Sequence, residues 1–486
     1  MAVVAGVDSS TQSCTVALHD QDTGELLGVG SAPHAPTFPP VSEQEPESWW
    51  QALVAATAAA REAAHVAPAD IVGVSVAAQC HGLVALDAEG EVIRPVKLWN
   101  DTTSSAQSQR LIAALGAQAW ADRVGSVPPP AFTVSKLAWL KEDEPESYAR
   151  LASVLLPHDW LTYRLTGRRV TDRSDASGTG YYSASRGAYD LGILELIDPE
   201  RDWRPLLPEV LGPSQPAGTI RPAAAAELGV APGALVGPGA GDQHAGAAGL
   251  GVVPGDVVFV FGTSGVVYGL SDHEVHDGGA AVTSVADVTG GYQPLVCTLN
   301  AAKVTDGFAR LLGVDHDGFS DLVLAAGRRP DRPVLAAYLD GERTPDRPGA
   351  RGILAGLSTA TSREEIALAA VEGVVFGLEA GRRILAGLGV PLGGRIIATG
   401  GGSGSAGYLR VLADTVGSEV LLVAAPQPVA RGAAIQAVAC LSEAPVARVR
   451  DEWAPPTRSA ASPTTPLDPT VFDRYTTLAQ WEGLDS

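Results

Sequence analysis

The clearest chemical signal in the chain is an aspartate that follows an apolar strand and opens a helix of small residues. Asp242 lies in the segment 239–246, directly before Gln243 and His244. α/β proteins bind ligands at the carboxyl ends of such strands, and one carboxylate there can orient a hydroxyl group and accept its proton. The sequence therefore predicts that Asp242 is either a general base or an ordinary helix N-cap.

A second polar segment follows another apolar strand, which we predict over residues 71–77. Cys80 and His81 come shortly after this strand, and Gly82 would allow a ligand to approach closely. A histidine at this place can hydrogen-bond a polyol or a carbonyl group, or it can be satisfied within the fold. The residues alone leave both alternatives open.

Two turns of small and hydroxyl residues could hold phosphate groups without a lysine. Residues 8–13 read DSSTQS and residues 262–265 read GTSG, each between two apparent strands. Backbone N–H groups can approach a phosphate closely at such turns, and hydroxyl groups add donors. Asp8 could hold Mg²⁺ through water, because Mg²⁺ gives up its hydration reluctantly. Ordinary hairpin turns are the alternative.

A glycine-rich junction at residues 402–407 matches GxGxxG between a predicted strand and a predicted helix. This pattern occurs in NAD-binding folds, and it is the basis for an NAD-linked dehydrogenase as an alternative. However, Glu419 begins the next strand, whereas the ribose-binding acid of those folds ends it. The junction suits an adenosine equally well. A P-loop enzyme is excluded, because no GxxxxGK[ST] occurs.

The elements that must position these residues alternate between strands and helices, which predicts an α/β fold. Residues 3–18 and 257–270 share a strand–turn–strand pattern, which indicates two halves built on one plan. We predict strands at 3–7, 15–19, 71–77, 235–239, 256–261, 266–270, 395–398 and 419–423, and helices at 46–65, 132–141, 242–250, 306–312, 363–388, 408–416, 429–440 and 468–481.

Composition narrows the class of protein. The chain has 486 residues, 45% of them hydrophobic, which suits two or three domains. Its net charge of -21 argues against a nucleic-acid or anionic-membrane surface. Its cysteines form no CxxC pair, which suggests reduced thiols, and its first residues lack the basic stretch of a signal peptide. We therefore expect a cytoplasmic protein.

Taken together, these segments resemble the FGGY family of carbohydrate kinases, and most closely its members that phosphorylate ketopentoses. Each segment is short, and their joint occurrence in the same order makes the resemblance specific. The segments are GVDSSTQS (6–13), QCHGLVALD (79–87), PVKLWND (95–101), PAFTVSKLAWL (130–140), LLPHDWLTYRLTG (155–167), SDASGT (174–179), GAGDQHAGAAGLG (239–251), FGTSGV (261–266), YLDGERTPD (338–346) and GGGSGSAGYLRVLAD (400–414).

The resemblance implies an actin/hexokinase-like (ribonuclease H-like) ATPase fold with a cleft between two domains. Residues 1–246 would bind the sugar and residues 247–486 the ATP, with a flexible or surface segment at about 455–467. The implied reaction is phosphorylation of D-xylulose by ATP with Mg²⁺, with L-ribulose or another ketose or polyol as the alternative. Sugar and ATP would be the partners, and a homodimer is common in the family. A non-catalytic sugar sensor is a further alternative, which Asp242 disfavours.

The resemblance also implies roles for individual residues. Asp242 would be the base that deprotonates the hydroxyl at C5, and Asp8 would organise Mg²⁺. Cys80, His81 and Gln243 would lie at the sugar, with Asp242. The residues expected at the ATP are Thr11, Gln12, Ser13, Gly262, Thr263, Gly401, Gly402 and Ser405.

Overall fold

The structure is a computed structural model that describes residues 1–485, and it alternates strands with helices as predicted. The strands are β1 (Val3–Ser9), β2 (Ser13–Asp20), β3 (Leu26–Pro33), β4 (Glu43–Gln44), β5 (Ile71–Ala78), β6 (Val84–Leu86), β7 (Val96–Lys97), β8 (Ser153–Leu155), β9 (Val170–Asp172), β10 (Tyr182–Ser183), β11 (Ala188–Tyr189), β12 (Glu209–Leu211), β13 (Gly218–Thr219), β14 (Leu235–Val236), β15 (Ala240–Gly241), β16 (Val257–Phe261), β17 (Gly265–Gly269), β18 (Thr283–Ala286), β19 (Tyr292–Thr298), β20 (Val334–Ala336), β21 (Ile353–Ala355), β22 (Ile396–Thr399), β23 (Val420–Val423) and β24 (Thr457–Ala461).

The helices range from single turns to one long helix in the second half of the chain. They are α1 (Pro46–Ala64), α2 (Ser105–Leu115), α3 (Ala117–Val124), α4 (Thr133–Asp143), α5 (Pro145–Arg150), α6 (Pro157–Thr166), α7 (Arg173–Ser177), α8 (Leu191–Leu194), α9 (Pro222–Leu228), α10 (Asp242–Gly249), α11 (Ala302–Leu312), α12 (His316–Ala325), α13 (Arg363–Gly387), α14 (Ala406–Val416), α15 (Pro428–Leu441), α16 (Val446–Glu452) and α17 (Pro469–Ala479).

Two seven-stranded sheets form the framework of the molecule. The first has the order β13-β14-β5-β1-β2-β3, with β15 also paired to β5, and the second has the order β18-β19-β17-β16-β22-β23-β24. In each sheet an antiparallel pair, β1–β2 or β16–β17, lies beside a parallel neighbour, β5 or β22. The two halves therefore share one strand arrangement, as the similar patterns of residues 3–18 and 257–270 predict.

Each half buries its own apolar core, because its strands and helices present apolar residues to one another. In the first half, Val16 of β2 shares a buried cluster with Trp49 and Leu53 of α1. In the second half, Phe259 of β16 shares a buried cluster with Val375 of α13. Burial of each such large side chain contributes about 1.5–3 kcal/mol. These cores hold the strand ends, and with them the site, in fixed positions.

Helices α10 and α15 cross each other between the halves. α10 follows β15 of the first sheet, and its Leu250 end packs with apolar residues of the second sheet. α15 follows β23 of the second sheet and packs on β1 and β5 of the first. Glycines permit this crossing: a Cβ on Gly432 would overlap the carbonyl oxygen of Ala245, and one on Gly249 would overlap that of Pro428. α10 is therefore packed against elements of both halves.

The predicted domain boundary and part of the predicted flexible or surface segment fall within regular structure. The boundary predicted after residue 246 falls inside α10 and stays a prediction. In the segment 455–467, residues Thr457–Ala461 form β24, which pairs antiparallel with β23 at the edge of the second sheet. That part of the segment is an edge strand at the surface, with residues 457–459 exposed. Over residues 1–485, no helix is long and apolar enough to cross a membrane.

Candidate active site

Strand register brings the predicted base and the predicted Mg²⁺ ligand to one edge of the first sheet. β1 and β15 both pair in parallel with β5, so that Asp8 and Ala240 lie level with Ala77 on either side of it. The carboxyl ends of the three strands therefore meet at the same edge. Asp242 follows β15 by one residue, and Cys80 follows β5 by two.

Asp242 is the first residue of α10, and its carboxylate contacts Cys80. Gly241 is the N-cap and makes no side-chain capping bond, so the N-cap alternative for Asp242 is wrong. Asp242 Oδ1 accepts hydrogen bonds from the backbone N–H of Gln243 at 2.7 Å and from Cys80 Sγ at 3.4 Å. Within residues 1–485, Oδ2 accepts no hydrogen bond and the carboxylate has no ion-pair partner. The Asp242 side chain is partly exposed rather than packed in a core.

Both strand-edge carboxyl groups hold protons more tightly than usual. Burial raises the pKa of Asp242 to about 7, and the negative charge of Asp8 adds to the effect. Burial likewise raises the pKa of Asp8 to about 6, against a hydrogen bond from Ser10. A general base works best when its pKa lies near the working pH. Asp242 therefore has the electrostatic setting that such a role requires.

His81, the residue after Cys80, has a constrained conformation. Its φ is +66°, and its ring lies 4.8 Å from that of Phe132, centroid to centroid. The backbone N–H of His81 donates to Asp175 Oδ1 at 3.2 Å. The His81 carbonyl accepts from Thr133 Oγ1 at 3.2 Å and from Lys136 Nζ at 2.7 Å. His81 is thus fixed on both sides while its side chain stays 17% exposed.

Lys136 and Asp175 were not among the residues predicted for the site. Lys136 is buried and donates to the carbonyls of His81 and Ala131, and burial lowers its pKa to about 7. Both residues lie in segments on which the resemblance rests, 130–140 and 174–179. Nothing in those segments indicates that they contact His81, because the contact arises only from the tertiary fold.

The first hydroxyl-rich turn is tied down by its neighbours. Thr11 Oγ1 accepts a hydrogen bond from Trp99 Nε1 at 2.9 Å and donates to Gln79 Oε1 at 3.3 Å. The carbonyl of Gln12 accepts from the backbone of His34, and Ser13 begins β2. The turn is therefore held against Gln79 and Trp99 of the first half. Thr11, Gln12 and Ser13 do not line the large cavity that the second half contains.

That cavity has a volume of about 860 Å³, which is ample for a nucleotide. Gly262, Thr263, Gly401, Gly402 and Ser405 line it, so five of the eight residues predicted for ATP come together. Ser405 is also the N-cap of α14. Sequence analysis missed the polar lining from α11 and α12, which no local motif marks: Thr305, Asp306, His316, Asp317, Ser320 and Asp321.

A carboxylate able to take a hydroxyl proton on one half and room for a nucleotide on the other are what a two-domain small-molecule kinase requires. The N-terminal domain of the FGGY family of carbohydrate kinases matches residues 3–249, and its C-terminal domain matches residues 257–441. The chain belongs to this family and is a sugar phosphotransferase. Family membership sets the dehydrogenase alternative aside.

Individual relatives are similar over nearly the whole chain. The xylulose kinase of Streptomyces rubiginosus is 41% identical over 455 residues, 93% of this chain and 90% of the relative. That of Escherichia coli K12 is 34% identical over 85% of each chain. The crystal structure of xylulose kinase from Bifidobacterium adolescentis superposes with a TM-score of 0.86 at 35% identity, covering 98% of this chain and 99% of that one. These likenesses confirm the predicted two-domain fold.

Proposed function

We propose that the chain phosphorylates D-xylulose with ATP, giving D-xylulose 5-phosphate and ADP. The central observation is a carboxylate, Asp242, with a pKa raised to about 7 and one oxygen free of described donors, in contact with Cys80, the residue before His81. The names of the relatives supply the choice of sugar. A homodimer and a cytoplasmic location stay predictions.

The chemical step needs one base and accurate alignment. Asp242 Oδ2 takes the proton of the C5 hydroxyl while the oxygen of that hydroxyl forms a bond to the terminal phosphorus of ATP. The bond from that phosphorus to the bridging oxygen breaks, and ADP leaves. Phosphoryl transfer asks mainly for positioning and charge stabilisation. The hydrogen bond from Gln243 N–H fixes the carboxylate in its orientation.

The sugar site proposed here lies on the first half. The thiol of Cys80 is buried next to Asp242, and burial holds its pKa well above the usual range. Cys80 therefore offers a neutral, polarisable surface to the sugar. His81 provides ring nitrogens for hydroxyl groups, and Gln243 is exposed at the second position of α10, where its amide can reach the same ligand.

The nucleotide site proposed here is the cavity of the second half. Gly401, Gly402 and Ser405 would border the adenosine, and Gly262 and Thr263 would approach the phosphates. The backbone supports this use, since a Cβ on Gly401 would meet no atom within 4 Å, so this wall is open to a ligand. Thr11, Gln12 and Ser13 would face the transferring phosphate from the first half.

Asp8 fits the Mg²⁺ that accompanies ATP. Its half-buried carboxylate has a pKa raised to about 6 and no cationic partner among the described residues, so a divalent cation would compensate its reduced solvation. Within residues 1–485, no group of three or more His, Cys, Asp or Glu could hold a metal. One carboxylate suffices, because Mg²⁺ in kinases keeps waters and takes its other ligands from phosphates. When bound, the ion neutralises phosphate charge.

A coupled assay of ADP release over a panel of sugars tests this proposal. We expect D-xylulose to give the highest kcat/KM, exceeding L-ribulose, D-ribulose and xylitol by roughly tenfold or more. Sugar-driven ADP release of any size would exclude the non-catalytic sensor. A higher kcat/KM for L-ribulose would replace the proposed sugar, and the absence of sugar-driven ADP release would contradict the proposed function as a whole.

A further inference from the structure

A buried cluster of one histidine and three carboxylates lies next to His81, which Asp175 of the cluster contacts. His158 Nε2 lies 3.2 Å from Asp159 Oδ1, 3.4 Å from Asp172 Oδ1 and 3.8 Å from Asp175 Oδ2. All four side chains are buried. The proposed chemical step uses none of them, and buried charges persist only where they are paired. We therefore asked which neighbouring residue the charges of this cluster act on.

The cluster holds a charged histidine. Burial opposes the charged imidazole, but the carboxylates of Asp159, Asp172 and Asp175 outweigh it and raise the pKa of His158 to about 9. His158 in turn lowers the pKa of Asp172, although burial acts in the opposite direction. The result is a fixed ion pair inside the first half. Asp172 also accepts from the backbone N–H groups of Ser174 and Asp175 at 2.6 and 3.1 Å, which anchors α7.

Asp175 connects this cluster to His81. Its Oδ2 faces His158, whereas its Oδ1 accepts from the backbone N–H of His81 at 3.2 Å and lies 3.4 Å from His81 Nδ1. The His81 ring has little freedom to turn away. Phe132 stacks near it, and Gly178 leaves room for it where a Cβ would overlap the imidazole.

An anion beside Nδ1 determines which ring nitrogen of His81 has the hydrogen. A neutral imidazole has one N–H donor and one lone-pair acceptor, and a carboxylate oxygen can only accept. The 3.4 Å contact does not have hydrogen-bond geometry, but the negative charge of Asp175 favours a hydrogen over a lone pair on Nδ1, and this tautomer has its lone pair on Nε2. Burial lowers the pKa of His81, as do the charges of Lys136 and Arg343, and Asp175 opposes them. The ring is therefore neutral at physiological pH.

We propose that Asp175 is a positioning residue that fixes His81 with its Nδ1–H toward Asp175 and its Nε2 lone pair toward the sugar. His81 then accepts a hydrogen bond from a sugar hydroxyl group and does not donate one to the ketone. This inference rests on the proposed function, since it takes the sugar to bind at His81. It makes Asp175, which His158 holds in place, part of substrate recognition.

Paired substitutions within the cluster separate positioning from mere structure. Asp175→Asn keeps the size of the side chain but offers an amide that can donate to Nδ1. Asp159→Asn is the matched control, because Asp159 contacts the same His158 and not His81. We expect Asp175→Asn to raise the KM for D-xylulose roughly tenfold or more, with the KM for ATP changed less than about twofold. Asp159→Asn should leave the KM for the sugar within about twofold.

Two results would overturn the proposal: an unchanged KM for D-xylulose in Asp175→Asn, or an equal rise in both variants. Because Asp175→Asn could fail to fold, the tautomer is also read directly in the wild-type protein. Nitrogen NMR of ¹⁵N-histidine-labelled protein, with His81 assigned by its loss in His81→Asn, should show a protonated Nδ1 and a bare Nε2. The opposite tautomer would contradict the proposal.

The NMR measurement and the sugar panel test the role of His81 and the proposed function separately. The tautomer is read without sugar, so it stands or falls whichever ketose the enzyme accepts. Addition of D-xylulose should shift the Nε2 resonance in the direction of an accepted hydrogen bond and leave Nδ1 protonated. If the wild-type protein phosphorylates no ketose, the proposed function is wrong; if it does and the Nε2 resonance does not respond, the role of His81 is wrong.

Discussion

At the scale of single residues, the pKa of Asp242 leads to a prediction about pH. Its raised value of about 7 belongs to a group that must be deprotonated to act as a base. The kcat/KM for the sugar should therefore rise with pH through about 7 and level off above it. A pH profile from steady-state assays checks this, and a profile that is flat between pH 5.5 and 8 would contradict it.

The contact of Cys80 with Asp242 leads to a second prediction about the pH profile. Its hydrogen bond to Asp242 lowers the pKa of that carboxyl group. Cys80→Ala should thus move the rising limb of the profile to higher pH, because the ionised base loses a donor. A shift to lower pH would show that the limb belongs to another group.

At the residue scale, the sequence located site residues that lie in recognisable motifs. It missed residues that reach the site only through the tertiary fold. Asp242, Cys80 and His81 stand at strand ends with small neighbours, so their positions could be predicted. The contact of Asp175 with His81 joins residues 94 positions apart, and no local pattern indicates it. The same holds for Asp306 and Ser320 in the wall of the large cavity.

At the scale of elements, the crossing of α10 and α15 leads to a prediction about stability. A Cβ on Gly432 would overlap the carbonyl oxygen of Ala245, whereas one on Gly246 would meet its nearest atom at 3.5 Å. Gly432→Ala should destabilise the protein by about 1–3 kcal/mol or more. Gly246→Ala, in the middle of α10, should be neutral or stabilising by up to about 1 kcal/mol.

Thermal or urea unfolding of the two glycine variants beside the wild-type protein provides the measurement. The order expected for the unfolding midpoint is Gly432→Ala lowest and Gly246→Ala at or above wild type. Equal midpoints for all three proteins would show that the helices do not pack as closely as described.

Long elements could be predicted better than short ones. The helix predicted at 363–388 is observed as Arg363–Gly387, because its periodicity extends over many turns and Ser362 caps its start. The strand predicted at 235–239 is observed only as Leu235–Val236; Gly237 N–H still donates to the Val74 carbonyl, but Pro238 has no N–H to continue the ladder. α7 has five residues, too few for a periodic signal, and it contains Asp175.

At the scale of the whole molecule, sugar and nucleotide are assigned to different halves, which predicts that their KM values can be changed separately. A Cβ on Gly401 would meet no atom within 4 Å, and Gly401 lines the large cavity. Gly401→Val should therefore raise the KM for ATP roughly tenfold or more and leave the KM for D-xylulose within about twofold. The added side chain occupies space that the nucleotide needs.

Gly393→Val is the matched control, because a Cβ there also meets no atom within 4 Å but the residue does not line that cavity. Its kinetic constants should equal those of the wild-type protein. If Gly401→Val raised the KM for the sugar instead, the assignment of ligands to halves would be reversed.

Conversion of the proposed base to its amide tests the central claim most directly. The turnover of Asp242→Asn with D-xylulose and Mg–ATP is compared with that of Asp473→Asn, an exposed aspartate of α17. We expect kcat of Asp242→Asn to fall by roughly a thousandfold or more, with an unchanged unfolding midpoint, and Asp473→Asn to match the wild-type protein. Near-normal turnover by a folded Asp242→Asn variant would contradict the account.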